Sequence, residues 1–214
     1  MYRWPGSTPR IVVCSLLDVA SVDVVPVTPE RWDDLERLFG PRGAYANCWC
    51  MWFRHTSAEW DAAGADGRRR ELAHLVTGDH RPGLLAYRRH EPVGWVAVAP
   101  RSEFHRLTSP RARAYRSFDD TPTWVINCFF IAKEHRGAGV ATALLDAAVR
   151  FAADRGATVV EGYPVDLDGP KTAVQLYTGT TDMFARAGFV EVQRLYGRPL
   201  VRLEPAAGAA PGRR

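Results

Sequence analysis

Arg136, Gly137 and Gly139 stand directly ahead of an apolar-periodic run, inside "KEHRGAGVATALLDAAVRFA" (residues 133–152). Glycine costs backbone entropy where a helix has to start, so two of them at that place call for a reason. The first N–H groups of a helix have no intrahelical partner and point outward. The helix dipole adds partial positive charge at the same end. Glycines let the backbone approach a ligand with no Cβ in the way, and Arg136 supplies a full charge. The implied chemistry is the grip of a phosphorylated ligand, a pyrophosphate above all.

Three phosphate motifs compete for this turn. A Walker loop needs G-x-x-x-x-G-K-[ST], a string the chain lacks. A dinucleotide fingerprint needs a third glycine where Thr142 stands, and it should open a βαβ series. The spacing R-x-x-G-x-A, Arg136 to Ala141, directly after an apolar strand, is the pattern that fits.

The elements around the turn follow from period and punctuation. Val22–Val27 reads as a first strand. Thr28 is placed to cap a helix with Pro29 at its first position and Trp32, Leu35, Leu38 and Phe39 inward. "GAYANCWCMWFR" fits neither helical nor strand period. Thr56 and Glu59 are spaced as a capping box for a short helix, and a second helical stretch covers Arg68–Thr77. Leu84–Arg88 and Val93–Ala99 form a hairpin about "RHEP". An arginine-rich stretch, 101–120, precedes the strand Thr123–Ala132, which is apolar enough to be covered on both faces. The helix Gly139–Arg155 is closed by Gly156. "TVVEGYPV", the short helix "DMFARAG" and a terminal hairpin follow. This is a mixed α+β sheet with antiparallel strands and one parallel β-α-β crossover, helices on both faces. Residues 1–20 read as an extension, 21–205 as one domain and 206–214 as a disordered tail.

Composition sets the outer limits. The chain has 214 residues and is 46% hydrophobic, enough for one core. No apolar run reaches bilayer length, and the N-terminal stretch is too polar and proline-broken for a signal peptide, so a cytoplasmic location is expected. Cys14, Cys48, Cys50 and Cys128 make no disulfide framework. The net charge of +4 suits an anionic ligand. Its cations, nearly all arginine, are too scattered for a nucleic-acid groove, and Arg68-Arg69-Arg70 reads as one solvated helix face. Cys48-x-Cys50 with His55 is too tightly spaced for zinc and lacks a second ligand pair, so no metal is expected and the cysteines belong to an apolar wall.

The R-x-x-G-x-A turn after "INCFFIA", paired with "DMFARAGFVEV", resembles the signature of the GNAT acetyltransferases, over roughly Val22 to Glu204. The resemblance implies a GNAT-like fold and acetyl-CoA as co-substrate. The backbone of Phe129, Phe130 and Ile131 would pair with the pantetheine arm. Arg136, Gly137, Ala138, Gly139, Val140, Ala141 and Thr142 would hold the pyrophosphate. The two parallel strands would splay near Phe130 and Gly162 to admit the cofactor. The segment after the first helix would wall the acceptor pocket with Trp49, Trp52 and Phe53, joined by Trp95 and Trp124, and Asn127 would face the substrate. An aromatic wall favours a flat or cationic amine.

Many relatives carry a tyrosine acid four residues before the Gly-Phe glycine. That position is Phe184 here. Tyr177 is the substitute expected, with Tyr163 or no acid at all left open, since a thiol of pKa about 8.5 leaves as the anion. Glu103, His105, Glu161 and Asp166 are each open to a basic role, none with a mark that selects it. The expected activity is acetyl transfer to an amine, most simply of a small molecule. A non-catalytic acyl-CoA-binding module is the alternative, and a homodimer is compatible with either.

Overall fold

The structure is a computed structural model that describes residues 21–78 and 81–205. The extension and tail expected at residues 1–20 and 206–214 lie outside the described residues. Seven strands form one sheet: β1 Asp23–Pro26, β2 Gly83–Arg88, β3 Glu91–Pro100, β4 Trp124–Ile131, β5 Val160–Gly162, β6 Val190–Leu195 and β7 Arg198–Leu203. Their order is β1-β2-β3-β4-β5-β7-β6, antiparallel throughout except for β4 beside β5. The helices are α1 Trp32–Phe39, α2 Ser57–Thr77, α3 His105–Thr108, α4 Val140–Ala153 and α5 Thr181–Arg186.

Alternation of side chains along the strands splits the core in two. On one face Val96, Val98, Ile126, Val160 and Val201 meet Val140, Leu144, Leu145, Ala148 and Phe151 of α4, with Phe184 of α5. On the other, Leu85, Trp95, Ala97, Val125 and Leu200 meet Leu35 and Phe39 of α1 and Leu72 and Val76 of α2. Burial of each of these large apolar side chains is worth about 1.5–3 kcal/mol. Double coverage explains why β3 is buried from Pro92 to Ala99 without a polar face.

Local chemistry sets the joints. The β2–β3 turn is tighter than "RHEP". Arg89 and His90 are its two residues, both left-handed (φ 48° and 67°), so Glu91 and Pro92 already belong to the strand. The Thr56–Glu59 box forms in both directions, Glu59 N–H to Thr56 Oγ1 at 3.3 Å and Thr56 N–H to Glu59 Oε2 at 2.6 Å. It opens the first of two helical stretches that make up α2, which meet at a kink where Gly64 leaves helical geometry (φ 61°, ψ −176°), so the second stretch begins just past residue 64, earlier than the expected Arg68. Thr28 does not cap α1; its hydroxyl accepts from the Arg31 guanidinium instead.

Arg68 also departs from expectation. It is buried, its guanidinium 4.0 Å from the Trp60 ring centre, and it donates to the carbonyls of Asn47 and Trp60. Cation–π attraction and two carbonyls replace the water such a group would otherwise hold. The strand expected at "TVVEGYPV" is only three residues long, because β5 leaves β4 after the Ile126–Gly162 pair.

Candidate functional site

The turn before α4 has the geometry its glycines suggested. Gly137 and Gly139 are left-handed (φ 73° and 79°), and a Cβ on either would meet nothing within 4 Å. Gly139 is the N-cap, and no side chain caps the helix. Among the described residues, the N–H groups of residues 137 to 142 find no partner; the first helical bond is Ala143 N–H to Gly139 O at 3.0 Å. Arg88 reaches over from β2 to donate to Ala138 O at 2.6 Å, and Arg136 Nε donates to Ile131 O at 3.1 Å. Six outward amides on a braced loop fit a diphosphate.

The strand before the turn carries a bulge. Across β3 and β4, Trp95 pairs with Phe130 while Ala97 pairs with Asn127, so β4 holds one extra residue there. Cys128 takes the left-handed conformation (φ 54°) that this requires. Beyond Ile126 the β5 side of β4 is open, and the chain at Tyr177 comes into it, its carbonyl accepting Phe129 N–H at 2.7 Å. Gly162 lies beside this fork. A Cβ there would stand 2.3 Å from the ring of Phe184, which is fully buried against Phe129 and Phe189. No hydroxyl exists at the position that Phe184 fills.

A cavity of about 270 Å³ opens at the fork, walled by Tyr45, Trp52, Trp60, Phe130 and Tyr177 and by the thiols of Cys48, Cys50 and Cys128. Tyr45 packs on Phe130 (5.2 Å between rings) and lies within the field of Arg136, which joins the cavity to the glycine turn. The wall opposite β4 is built from left-handed residues: Ala44, Ala46, Asn47, Trp49 and Cys50, with Gly43 ahead of them. Such conformations cost on the order of 1 kcal/mol or more each for non-glycine residues. They persist because Trp49 is clamped between Trp32 and Phe39.

The thiols differ. Cys50 beside Cys48, together with backbone amides, holds the Cys48 thiol down to about 7 against the opposing effect of burial. Burial, with Cys128 and Cys48 beside it, pushes the Cys50 thiol well up. Only the thiolate is nucleophilic. Alkylation of Cys48 by iodoacetamide, followed by peptide mass spectrometry, should therefore rise through a midpoint near pH 7, with Cys50 unreactive. Equal labelling of both would contradict this ordering. Among the described residues no cluster of three or more His, Cys, Asp or Glu side chains is arranged to hold a metal ion, and His55 Nε2 is engaged by Glu71.

The remaining sequence candidates separate. Tyr177 lines the cavity with its ring stacked 6.0 Å from Phe53, and burial raises its hydroxyl pKa, with Tyr115 and Cys128 adding to the rise. The Tyr163 hydroxyl is sequestered between Arg101 and Glu161. Trp52 lines the cavity and Phe53 lies behind it, whereas Trp49, Trp95 and Trp124 are packed against the two cores and do not line it. Asn127 is 1% exposed, and neither polar atom of its carboxamide has a protein partner. A buried amide in that state needs a water or a ligand. Glu103 pairs with Arg54, His105 with Glu59, and Asp166 with Thr181 and Arg194; Glu161 is enclosed by arginines. None of the four lines the cavity. Tyr45, Trp60 and Cys128 were not anticipated there. Only the aperiodic, aromatic character of residues 43–54 pointed to a wall.

A profile of the Acetyltransferase (GNAT) family matches residues 49–178. No curated protein sequence matches significantly. Among solved structures, a "histone acetyltransferase HPA2 and related acetyltransferase" from Corynebacterium glutamicum superposes with a TM-score of 0.51 at 19% identity, over 89% of this chain and 99% of the other. An N-acetyltransferase from Staphylococcus aureus gives 0.50 at 11% identity, over 87% of this chain and 100% of the other. At those identities the two structures speak to the fold alone. No described helix is long and apolar enough to cross a membrane.

Proposed function

The chain belongs to the GNAT acetyltransferase family, and from that premise we propose that it transfers an acetyl group from acetyl-CoA to the amine of a small molecule. The observation that carries this reading is the continuous path from six unpaired amides at residues 137–142, past Arg136 and Tyr45, to an apolar cavity at the β4–β5 fork.

In this reading the amides of Gly137 to Thr142 hold the diphosphate and Arg136 screens its charge. The pantetheine arm runs along Phe129, Phe130 and Ile131. Because Phe129 N–H is engaged by Tyr177 O, the arm has to exchange with that carbonyl or pair beyond it. The thioester then reaches the cavity beside Cys128, where Phe129 N–H, once released by Tyr177 O, would be a donor to a developing oxyanion. Trp52 faces the acceptor side, whereas Asn127 does not line the cavity and is left without a substrate contact.

Proton traffic is the distinctive part. No carboxylate or imidazole lines the cavity. An apolar site lowers the pKa of an entering ammonium, and Cys48, its thiol held down to about 7, is the lining group poised to exchange a proton near neutrality. Tyr177 keeps its proton and offers it to the leaving thiolate as a hydrogen bond, its raised pKa making it a donor more than an acid. Tyr177→Phe should lower kcat about tenfold, less than the roughly hundredfold or more of a positioned general acid, because the hydroxyl lends a hydrogen bond without giving up its proton, with KM for acetyl-CoA little changed. An unchanged kcat would remove Tyr177 from the reaction.

Thiol release from acetyl-CoA across a panel of amines tests the function itself. Turnover with any amine supports transfer. Tight acetyl-CoA binding without turnover supports the non-catalytic module, which the phenylalanine at position 184 favours.

A further inference from the structure

On the far side of Trp52 lies a second and larger cavity, about 680 Å³, between the start of α2, the 106–115 segment and the β6–β7 turn. Its walls include Trp52, Tyr115 and Tyr196, and its ionisable side chains apart from the tyrosines are Arg106, Arg111 and Arg113. No carboxylate lines it. Trp52 belongs to both cavities. Phe53 touches a wall of each, meeting Tyr115 of the larger cavity edge-on at 5.6 Å and stacking with Tyr177 of the smaller at 6.0 Å.

The cations here differ from those that carboxylates neutralise elsewhere in the fold. Arg54, Arg69, Arg101, Arg194 and Arg202 each face a carboxylate. Arg106 is committed to its neighbour, stacked 3.9 Å over Trp52 with Nε on the Trp52 carbonyl. Arg111 and Arg113 make no side-chain ion pair among the described residues. Arg198 lies 5.1 Å from the Tyr115 ring centre, and its Nη1 is buried without a partner. Guanidinium groups of one sign, set against low-dielectric aromatic walls, focus a positive potential into the cavity. Such a site repels a polycation. It rewards a planar oxyanion, which a guanidinium fork can hold through two N–H groups at once.

Building on the proposed acetyl transfer, we infer that the acceptor is an amine that also carries an oxyanion, a carboxylate or a phosphate. Arg111 and Arg113 receive the anion, Tyr115 and Tyr196 flank the body of the molecule, and the amine passes Trp52 toward the thioester. The expectation of a flat or cationic amine drawn from the aromatic wall is narrowed to an amine with an oxyanion attached, because the arginines repel a molecule that carries cations alone.

Matched acceptors test this: phenylalanine against phenylalaninamide, O-phosphoethanolamine against ethanolamine, and spermidine as the polycation. For at least one pair the anionic member should have kcat/KM about tenfold or more above its partner, about 1.4 kcal/mol. The pair that shows the preference identifies the anion as carboxylate or phosphate. Arg111→Gln with Arg113→Gln should collapse that ratio through KM. In the unaltered protein, raising NaCl from about 0.05 to about 0.5 M should shrink it as well, which keeps the test independent of the variant's folding. Spermidine as the best acceptor, ratios of one or less in both pairs, or a ratio that survives the double substitution would each overturn the inference. Acetyl-CoA titration by calorimetry separates the failures. Binding and turnover without anion preference sink this inference alone, whereas absent binding sinks the acetyl-transfer reading with it.

Discussion

Gly139→Val should bind coenzyme A at least about a hundredfold more weakly than the unaltered chain, a loss of about 2.7 kcal/mol. Two effects act together. The left-handed backbone at residue 139 (φ 79°, ψ 0°) is an outlier for a β-branched residue, so valine drives the turn toward another conformation and re-aims the amides of residues 137–142. Its side chain also projects into the open space beside the turn, where a Cβ meets no protein atom within 4 Å. That is the space a phosphate must enter.

Strain alone could lower affinity by loosening the fold, and the structure supplies the control. Gly156, at the other end of α4, is left-handed too (φ 84°) and equally uncrowded. Gly156→Val should lower stability by a similar amount, on the order of 1–3 kcal/mol, and leave calorimetric affinity for coenzyme A within about twofold. Affinities that fall together with stability in both variants would mean the turn is a helix start and nothing more. An unchanged affinity in Gly139→Val would remove the pyrophosphate site altogether.

That turn was readable from sequence because everything that makes it is local. The glycines, the arginine and the apolar period sit within twenty residues, and the β4-α4-β5 crossover and both hairpins are short-range in the same sense. What escaped the sequence depends on distant partners. Arg68 resembles any residue of a basic helix face until Trp60 and Asn47 are folded against it. Trp49 and Trp52 are three residues apart in one aromatic run, yet one is clamped in the core by α1 and the other faces both cavities. A chain of left-handed residues has no period, so no pattern could assign their directions. The three arginines at the second cavity looked like scattered charge, since only the fold places them around one space with no acid among them.

Glu161 is the sharpest case of such a distant arrangement, and Glu161→Ala should cost about 3–5 kcal/mol of stability. In a chain of this size that lowers the melting temperature by about 6–20 °C. The carboxylate is 0% exposed on β5. It accepts from Arg101 Nη1 at 2.8 Å, from Arg202 Nε and Nη2 at 2.9 and 2.7 Å, and from the Tyr163 hydroxyl at 3.1 Å. Arg101 carries the pull onward to the carbonyls of Leu107 and Tyr115, and Arg202 carries it to Asp119. One buried charge thus ties the 101–119 segment, and with it the wall of the larger cavity, to the sheet. Removing it leaves two guanidinium groups, each mostly buried, short of their common partner. Asp119, held down to about 2 chiefly by Arg202, adds a pH signature. Its share of the stabilisation is complete above the ordinary aspartate pKa of about 3.9 and is lost as pH falls toward 2. The same geometry excludes Glu161 as the base, because all its lone-pair directions face arginines and a tyrosine. Glu161→Gln, assayed well below its lowered melting temperature, should therefore keep most of its kcat. A large fall in kcat in a still-folded Glu161→Gln protein would restore the residue to the reaction. A melting temperature within about 3 °C of the original in Glu161→Ala, less than about 1.5 kcal/mol on the same scale, would deny it the anchoring role.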